Sequence, residues 1–230
     1  MIDEIFIAPE LLEKFPDYSV ALLEVTGVQG GPSNDYSEKL LQHAEMVTKE
    51  LLANTSLDEV LEVKRWRAAF EAFGVKPRVA RSSCEALMRR ADKGLPRIDL
   101  LTDIYNAVSV IHRIPIGGEN LDAYVGPARL ALATGTETFD TRENGDTVMQ
   151  HPEVGEVVWR DDIGVTCRRW NWRQCVRTRL DEHTTSILFI LDGLGPNSVA
   201  AASSAADQLS AELLACWSDA QISSRTISAH

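Results

Sequence analysis

The segment Val165–Arg177 concentrates side chains that can bind anions and flat aromatic groups. Its sequence is VTCRRWNWRQCVR. A guanidinium can donate two parallel hydrogen bonds to a phosphate or a carboxylate, and an indole can stack on a nucleobase. If the segment is extended, alternate side chains face opposite sides: Arg168, Trp170, Trp172 and Gln174 on one, and Cys167, Arg169, Asn171, Arg173 and Cys175 on the other. The candidate binding residues here are Arg169, Trp170, Asn171 and Arg173; the alternative is that the tryptophans are core residues and the arginines pair with carboxylates.

A second group of polar residues lies in the segment Pro96–Asp122, PRIDLLTDIYNAVSVIHRIPIGGENLD. Its apolar periodicity predicts a helix that begins after the N-cap Asp99. Asp103 and Asn106 lie one turn apart inside this helix, although neither residue type favours a helix interior. The adjacent glycines Gly117 and Gly118 allow a tight turn or the close approach of a ligand to the backbone.

The sequence lacks the common catalytic and metal-binding motifs. Four cysteines show no C-x-x-C spacing, and no P-loop, G-x-S-x-G or H-E-x-x-H pattern occurs. We therefore expect no metal and no cofactor. The longest purely apolar run, Ile187–Leu191, is far too short to cross a membrane, and the acidic start is unlike a signal peptide. These features predict a cytoplasmic protein that binds neither membranes nor DNA.

The formal net charge of −11 argues against non-specific binding to nucleic acid, which needs a positive field. The charge is unevenly distributed, however, because six arginines lie between Arg160 and Arg179. A local cluster of this kind can still bind a single phosphate or carboxylate.

The remaining pattern predicts an α+β fold in a single domain that spans residues 1–217. We expect an N-terminal strand and four helices, then a mostly antiparallel sheet or partial barrel, and a C-terminal helix. The predicted elements are a strand at Asp17–Val28, helices at Tyr36–Ala53, Ser56–Phe73, Ser82–Gly94 and Asp99–Arg113, a hairpin of Glu156–Trp159 with Val165–Trp172, a buried strand at Thr184–Leu191, and a helix that ends at Trp217. Residues 218–230 are expected to form a frayed polar tail.

Three short motifs carry a family resemblance. They are Asp103-x-x-Asn106 followed by Pro115 and Leu121, Ser82–Leu87 with the sequence SSCEAL, and Cys167–Gln174 with the sequence CRRWNWRQ. This pattern resembles the B3/B4 domain of the phenylalanyl-tRNA synthetase beta chain, over roughly Tyr18 to Leu194. It is most similar to free-standing proteins that carry the domain without the synthetase.

The resemblance implies an editing pocket that hydrolyses the ester of a wrongly attached amino acid, typically tyrosine, on tRNA. Such catalysis needs a positioned water, a dry pocket and hydrogen-bond donors near the ester. The sequence departs from the synthetase at two places. Gly117 stands where the synthetase has a pocket histidine, and an isoleucine in Ile187–Leu191 stands where it has a glutamate, with Asp192 as the nearest carboxylate. The chain has no aminoacylation domain, so we expect no ligase activity.

Two functions follow, and a protein-interaction module is the third possibility. In the favoured one, the chain binds the aminoacylated 3′ end of tRNA and hydrolyses mischarged aminoacyl-tRNA in trans. Glu119 or Asp192 would then position the water, and the ligand contacts would come from Asp103, Asn106, Gly117, Gly118, Arg169, Trp170, Asn171 and Arg173. In the alternative, the same pocket binds RNA, a free amino acid or another small anionic ligand without catalysis.

Overall fold

The structure, a computed structural model that describes residues 2–229, contains six α-helices and eleven β-strands in that range. The helices are α1 (Pro9–Lys14), α2 (Asp35–Leu52), α3 (Leu61–Ala72), α4 (Ser83–Met88), α5 (Leu100–His112) and α6 (Ser198–Cys216). The strands are β1 (Phe6–Ile7), β2 (Tyr18–Thr26), β3 (Ile116–Asn120), β4 (Arg129–Leu132), β5 (Phe139–Glu143), β6 (Asp146–Gln150), β7 (Val157–Arg160), β8 (Val165–Arg168), β9 (Arg173–Gln174), β10 (Ser186–Leu194) and β11 (Gln221–Ser228). The predicted α+β class is confirmed, as is the strand β2 followed by the four helices α2 to α5.

Strands β2 and β10 form the centre of a four-stranded antiparallel sheet with the order β11-β2-β10-β3. Their register pairs Tyr18 with Leu194 and Thr26 with Ser186, so that all nine residues of each strand are matched. Branched side chains favour this pairing because they pack well on a pleated surface. Both strands are buried along most of their length, so each face of the sheet is covered by another layer.

One face of the four-stranded sheet packs against α5 and α6. The apolar side chains of this layer include Leu23, Ile104, Phe189, Leu209 and Leu213. Helix α5 begins as the sequence predicts, because the Asp99 carboxylate accepts a hydrogen bond from the Thr102 backbone N–H at 2.7 Å. Helix α5 is therefore fixed against the sheet and carries its polar residues into the interior.

The opposite face packs against a five-stranded sheet with the order β1-β4-β7-β8-β9. The core between the two sheets includes Leu22, Leu130, Val157, Trp159 and Ile190. The predicted run of mostly antiparallel strands is confirmed, and the pairing of β1 with β4 is parallel. The strands divide among three sheets, the third being the β5–β6 hairpin, and the described strands do not close into a barrel.

The β7–β8 hairpin is confirmed, but the strand predicted to run on to Trp172 ends at Arg168. Arg169 and Trp170 adopt left-handed backbone conformations, with φ of 48° and 66°, and the chain reverses so that β9 pairs with β8. The predicted alternation of side chains through this segment is therefore wrong. Each left-handed backbone conformation costs roughly 1–2 kcal/mol of conformational energy. The turn places the Trp170 ring in the core, whereas Trp172 remains partly exposed.

The predicted polar tail is also wrong, because residues 221–228 form β11 and pair with β2 along its length. Ile222 and Ile227 lie on opposite faces of this strand and pack against different apolar layers. A half-exposed edge strand with only two isoleucines has too weak an alternation of apolar and polar residues to be recognised from the sequence.

The Trp170 side chain is the centre of an aromatic cluster between the sheets and the N-terminal helices. Its ring centroid lies 4.8 Å from that of Tyr18, 4.9 Å from Phe15 and 5.3 Å from Trp66, each in an edge-to-face arrangement. Edge-to-face aromatic pairs contribute about 0.5–1.5 kcal/mol beyond the burial of their surface. Trp170 therefore joins the turn after β8 to three other elements.

Trp170 and Trp172 form a matched pair for a stability measurement. Trp170→Ala should lower the free energy of unfolding by about 3–5 kcal/mol, because it leaves a large cavity in a packed core. Trp172→Ala should cost about 1 kcal/mol or less, because its ring is partly exposed. Urea unfolding followed by circular dichroism measures both; equal losses would contradict the assignment of Trp170 as the core residue.

Candidate functional site

A cavity of about 120 Å³ lies between the two large sheets, next to α5. Its walls come from β3, β7, β8, β9, β10, α4, α5 and the turn after β8. The residues that line it are Ser83, Tyr105, Asn106, Ile116, Gly117, Glu119, Trp159, Cys167, Trp170, Asn171, Trp172, Arg173, Gln174, Ile190 and Asp192. The cavity therefore brings together both segments in which the sequence predicts chemistry.

The register of β3 against β10 explains why two carboxyl groups reach this cavity. Glu119 lies opposite Leu188, and Gly117 lies opposite Ile190. Because side chains two residues apart on a strand share a face, Glu119 and Asp192 both point away from the α5–α6 layer and towards the second sheet. Gly117 lies between them in the register and adds no side chain; a Cβ built there would meet nothing closer than Gln174 Nε2 at 3.9 Å.

Asp192 is 2% exposed and is hydrogen-bonded only to neutral groups. Its Oδ1 accepts from the Tyr18 hydroxyl at 2.6 Å, and its Oδ2 accepts from Asn171 Nδ2 at 3.0 Å. Burial raises the pKa of Asp192 to about 7, although these two hydrogen bonds act in the opposite direction. This carboxyl group can therefore exchange a proton near neutral pH.

Glu119 is 1% exposed and accepts a short hydrogen bond from the Tyr124 hydroxyl. Burial raises the pKa of Glu119 as well, and hydrogen bonds from neighbouring hydroxyl and amide groups oppose that rise. Both carboxyl groups of the cavity are thus held by neutral donors and carry no salt bridge among the described residues.

Two buried amides in the cavity wall have unused hydrogen-bonding capacity. The Asn106 side chain, on α5, makes no hydrogen bond within residues 2–229 and lines the cavity. The Asn171 Oδ1 atom is buried without a hydrogen-bond partner. Because an unsatisfied buried polar group costs about 1–3 kcal/mol, these amides are well suited to contact a bound ligand.

The cavity rim carries a stack of two guanidinium groups on one indole. Arg169 Cζ lies 4.4 Å and Arg173 Cζ 4.5 Å from the centroid of the Trp172 ring. Arg173 is exposed and forms no ion pair with a carboxylate in the described part of the chain. Arg169 Nε is 3.7 Å from Glu156, whose two oxygens already accept hydrogen bonds from Arg168.

A comparison with known protein families identifies the chain. The B3/4 domain family matches residues 65–212, which include every residue that lines the cavity. The chain belongs to the B3/4 domain family. The family predicted from the sequence motifs is therefore confirmed.

Among solved structures, the B3/4 protein is similar to an N-terminal fragment of the phenylalanyl-tRNA synthetase beta-subunit from Pyrococcus horikoshii, with 12% identity and a TM-score of 0.47. The similarity covers 95% of this chain and 49% of that fragment, so the chain spans about half of the fragment's length. No curated protein sequence matches the chain. Within residues 2–229, the helices are too short or too polar to span a bilayer, and no cluster of three His, Cys, Asp or Glu side chains could hold a metal ion.

Seven of the ten predicted site residues of the B3/4 protein meet at the cavity: Asn106, Gly117, Glu119, Trp170, Asn171, Arg173 and Asp192. Asp103 lies outside its wall and accepts hydrogen bonds from Ser37 Oγ at 3.1 Å and the Ile98 backbone N–H at 2.8 Å. Gly118 faces the helix layer, where a Cβ would come within 2.9 Å of Phe189. Asp103 thus joins α5 to α2, Gly118 allows close packing, and Arg169 lines a neighbouring groove.

No sequence motif points to the tyrosines that hold the two carboxyl groups. Tyr18 is 174 residues away from Asp192 along the chain, and no motif connects them. Tyr124 is five residues from Glu119, but the intervening turn was not predicted. Trp159 and Cys167 also line the cavity, but from the sequence they cannot be distinguished from ordinary apolar core residues.

The raised pKa of Asp192 predicts how the stability of the B3/4 protein depends on pH. The native state binds the Asp192 proton more tightly than the unfolded chain does. The stabilisation that this proton provides is therefore fully present below about pH 4 and is lost as the pH rises towards 7. Between these two pH values, the free energy of unfolding of the wild type should fall by on the order of 4 kcal/mol relative to that of Asp192→Asn. Urea unfolding from pH 4 to pH 8 measures the difference.

Asp207→Asn is the matched control, because Asp207 is exposed on α6 and away from the cavity. It should reproduce the pH dependence of the wild type. Parallel stability curves for the wild type and Asp192→Asn would contradict the assignment of a protonated carboxyl group to Asp192.

Proposed function

We propose that this B3/4 protein binds the aminoacylated 3′ end of a tRNA and hydrolyses the ester bond in trans. The observation that carries this proposal is the pair of buried carboxyl groups, Glu119 and Asp192, in the wall of a cavity with an unpaired arginine, Arg173, at its rim. Membership of the B3/4 family supports a tRNA-related role, because the sequence resemblance implies an editing pocket for aminoacyl-tRNA. Such a role requires access to aminoacyl-tRNA in the cytoplasm.

Asp192 is the general base in this proposal. A base is most effective when its pKa lies near the working pH, and the pKa of Asp192 is about 7. Its carboxylate takes a proton from a water molecule as the water oxygen attacks the ester carbonyl carbon. The ester C–O bond then breaks, the proton passes to the departing ribose oxygen, and the products are the free amino acid and the uncharged tRNA.

Two amides support the chemistry at Asp192. Asn171 donates to the Asp192 carboxylate and fixes its orientation. The Asn106 amide has no partner within residues 2–229 and can donate to the ester carbonyl oxygen, on which negative charge develops. A donor fixed in advance at that position stabilises the transition state more than the ground state.

Glu119 indicates the kind of amino acid that the cavity accepts. Its carboxyl group is an acceptor at the wall of a space slightly smaller than the roughly 150 Å³ apolar cavity that holds benzene. Among the described residues that line the cavity there is no lysine, and the arginine in that lining, Arg173, is at the rim. We therefore propose a substrate amino acid of modest size whose side chain carries hydrogen-bond donors or a positive charge.

Arg173 can bind another backbone phosphate near the 3′ end of the tRNA. In a protein with a formal net charge of −11, long-range attraction of RNA is weak, so binding must depend on such local contacts. A planar guanidinium without a carboxylate partner is suited to a phosphate because it donates two parallel hydrogen bonds.

Ester release from a panel of tRNAs charged with basic, hydroxyl-bearing or apolar amino acids tests this function. The wild type should release the donor-bearing amino acids fastest, at a rate that rises through pH 7. Asp192→Asn should reduce the rate at least about a hundredfold, because the base is lost. Asp207→Asn should retain the wild-type rate.

An absence of ester release from every charged tRNA would exclude hydrolysis. Retained binding of tRNA or of a free amino acid would then favour the alternative function, a non-catalytic binding domain. Release that is equally fast in the wild type and Asp192→Asn would remove Asp192 from the mechanism.

A further inference from the structure

A second groove lies beside the main cavity and shares the Arg169–Trp172 stack with it. Its volume is about 230 Å³, and its lining residues are Phe73, Gly74, Val75, Lys76, Val79, Glu153, Val154, Glu156 and Arg169. Arg169 lines this groove, and the indole under its guanidinium lines the main cavity. A ligand that extends from the main cavity can therefore reach the groove across a single side chain.

The groove brings together exposed apolar side chains from distant parts of the chain. Val79 is 53% exposed, and Val154, from a distant part of the chain, is 79% exposed. Phe73 and Val75, which are partly buried, line the same groove. Isolated apolar side chains on a surface are ordinary, but several in one concave site favour a flat apolar group such as a nucleobase.

The polar side of the groove has an excess of unsatisfied donors. Arg169 Nε is buried without a hydrogen-bond partner, since the nearest Glu156 oxygen lies 3.7 Å away. Lys76 is exposed and forms no ion pair within the described residues. Glu156 is already neutralised by two hydrogen bonds from Arg168, so the exposed Glu153 is the one carboxylate that opposes an anion here.

The backbone that carries Arg169 is held in a strained shape. Arg169 and Trp170 are consecutive non-glycine residues with positive φ. Hydrogen bonds from the Arg169 N–H to Glu156 at 3.1 Å and from the Trp170 N–H to the Val157 carbonyl at 2.7 Å maintain this turn. Strain of this kind is concentrated at functional sites, and here it places the guanidinium between the two cavities.

We propose that the groove binds the terminal nucleotide of the RNA substrate, with its base against the valines and its phosphate beside Arg169 and Lys76. This assignment rests on the proposed function, because it supplies the nucleotide to which the amino acid in the main cavity is attached. The ligand class is a nucleoside 5′-monophosphate unit.

Binding of AMP, followed by isothermal titration calorimetry, tests the groove separately from hydrolysis. Val79→Asp places a negative charge in the groove on an exposed side chain and should weaken AMP binding at least tenfold. Val199→Asp, at an exposed valine on α6, is the matched control and should bind AMP as the wild type does. The wild type should bind adenosine, which lacks the phosphate, more weakly than AMP. The Lys76→Ala variant should bind AMP more weakly than the wild type does.

The outcomes separate the groove from the catalytic proposal. AMP binding that is lost in Val79→Asp supports the groove even if the wild type releases no ester, in which case only hydrolysis is excluded. AMP binding that is absent from the wild type, or equal in Val79→Asp and Val199→Asp, would overturn the groove assignment even if ester release is observed.

Discussion

The nine-residue pairing of β2 with β10 is the contact on which the rest of the structure depends. It joins the start of the chain to residues near position 190 and creates a sheet with two buried faces. One face is closed by α5 and α6, and the other faces the second sheet across the cavity. The same pairing brings the Tyr18 hydroxyl to Asp192, so the fold and the candidate site are made by one long-range interaction. Loss of this register would remove both.

The treatment of buried carboxyl groups distinguishes the cavity from the rest of the protein. Most of the other buried carboxylates are paired with arginine, as Glu85 is with Arg67, Glu156 with Arg168 and Asp161 with Arg177. The exception is Asp103, which accepts hydrogen bonds from Ser37 and the Ile98 backbone. Asp192 and Glu119 have neutral partners instead, and burial raises the pKa of each. Unpaired buried charge is destabilising, so this arrangement lowers stability at neutral pH and leaves two acceptors for chemistry. Local cost of this kind is typical of a functional site.

Much of the fold could be predicted from the sequence. The helical periodicity of apolar residues and the N-cap predict α5, and a run of β-branched and other apolar residues predicts β2. The turn at Arg169 could not, because it has no glycine or proline and is stabilised by burial of the distant aromatic cluster around Trp170. Strand β11 was missed because its isoleucines serve two different apolar layers. Seven candidate site residues meet at the cavity, whereas Asp103 looked like a ligand contact because its structural partner, Ser37, is 66 residues away.

A crystal structure of the protein with a 3′-aminoacylamino analogue of adenosine, whose amide resists hydrolysis, tests the central claim most directly. The account predicts that the aminoacyl group lies in the cavity between Glu119 and Asp192, with its carbonyl oxygen within hydrogen-bond distance of the Asn106 amide. An aminoacyl group bound at another surface, with the cavity unchanged, would contradict the assignment of this cavity as the substrate site.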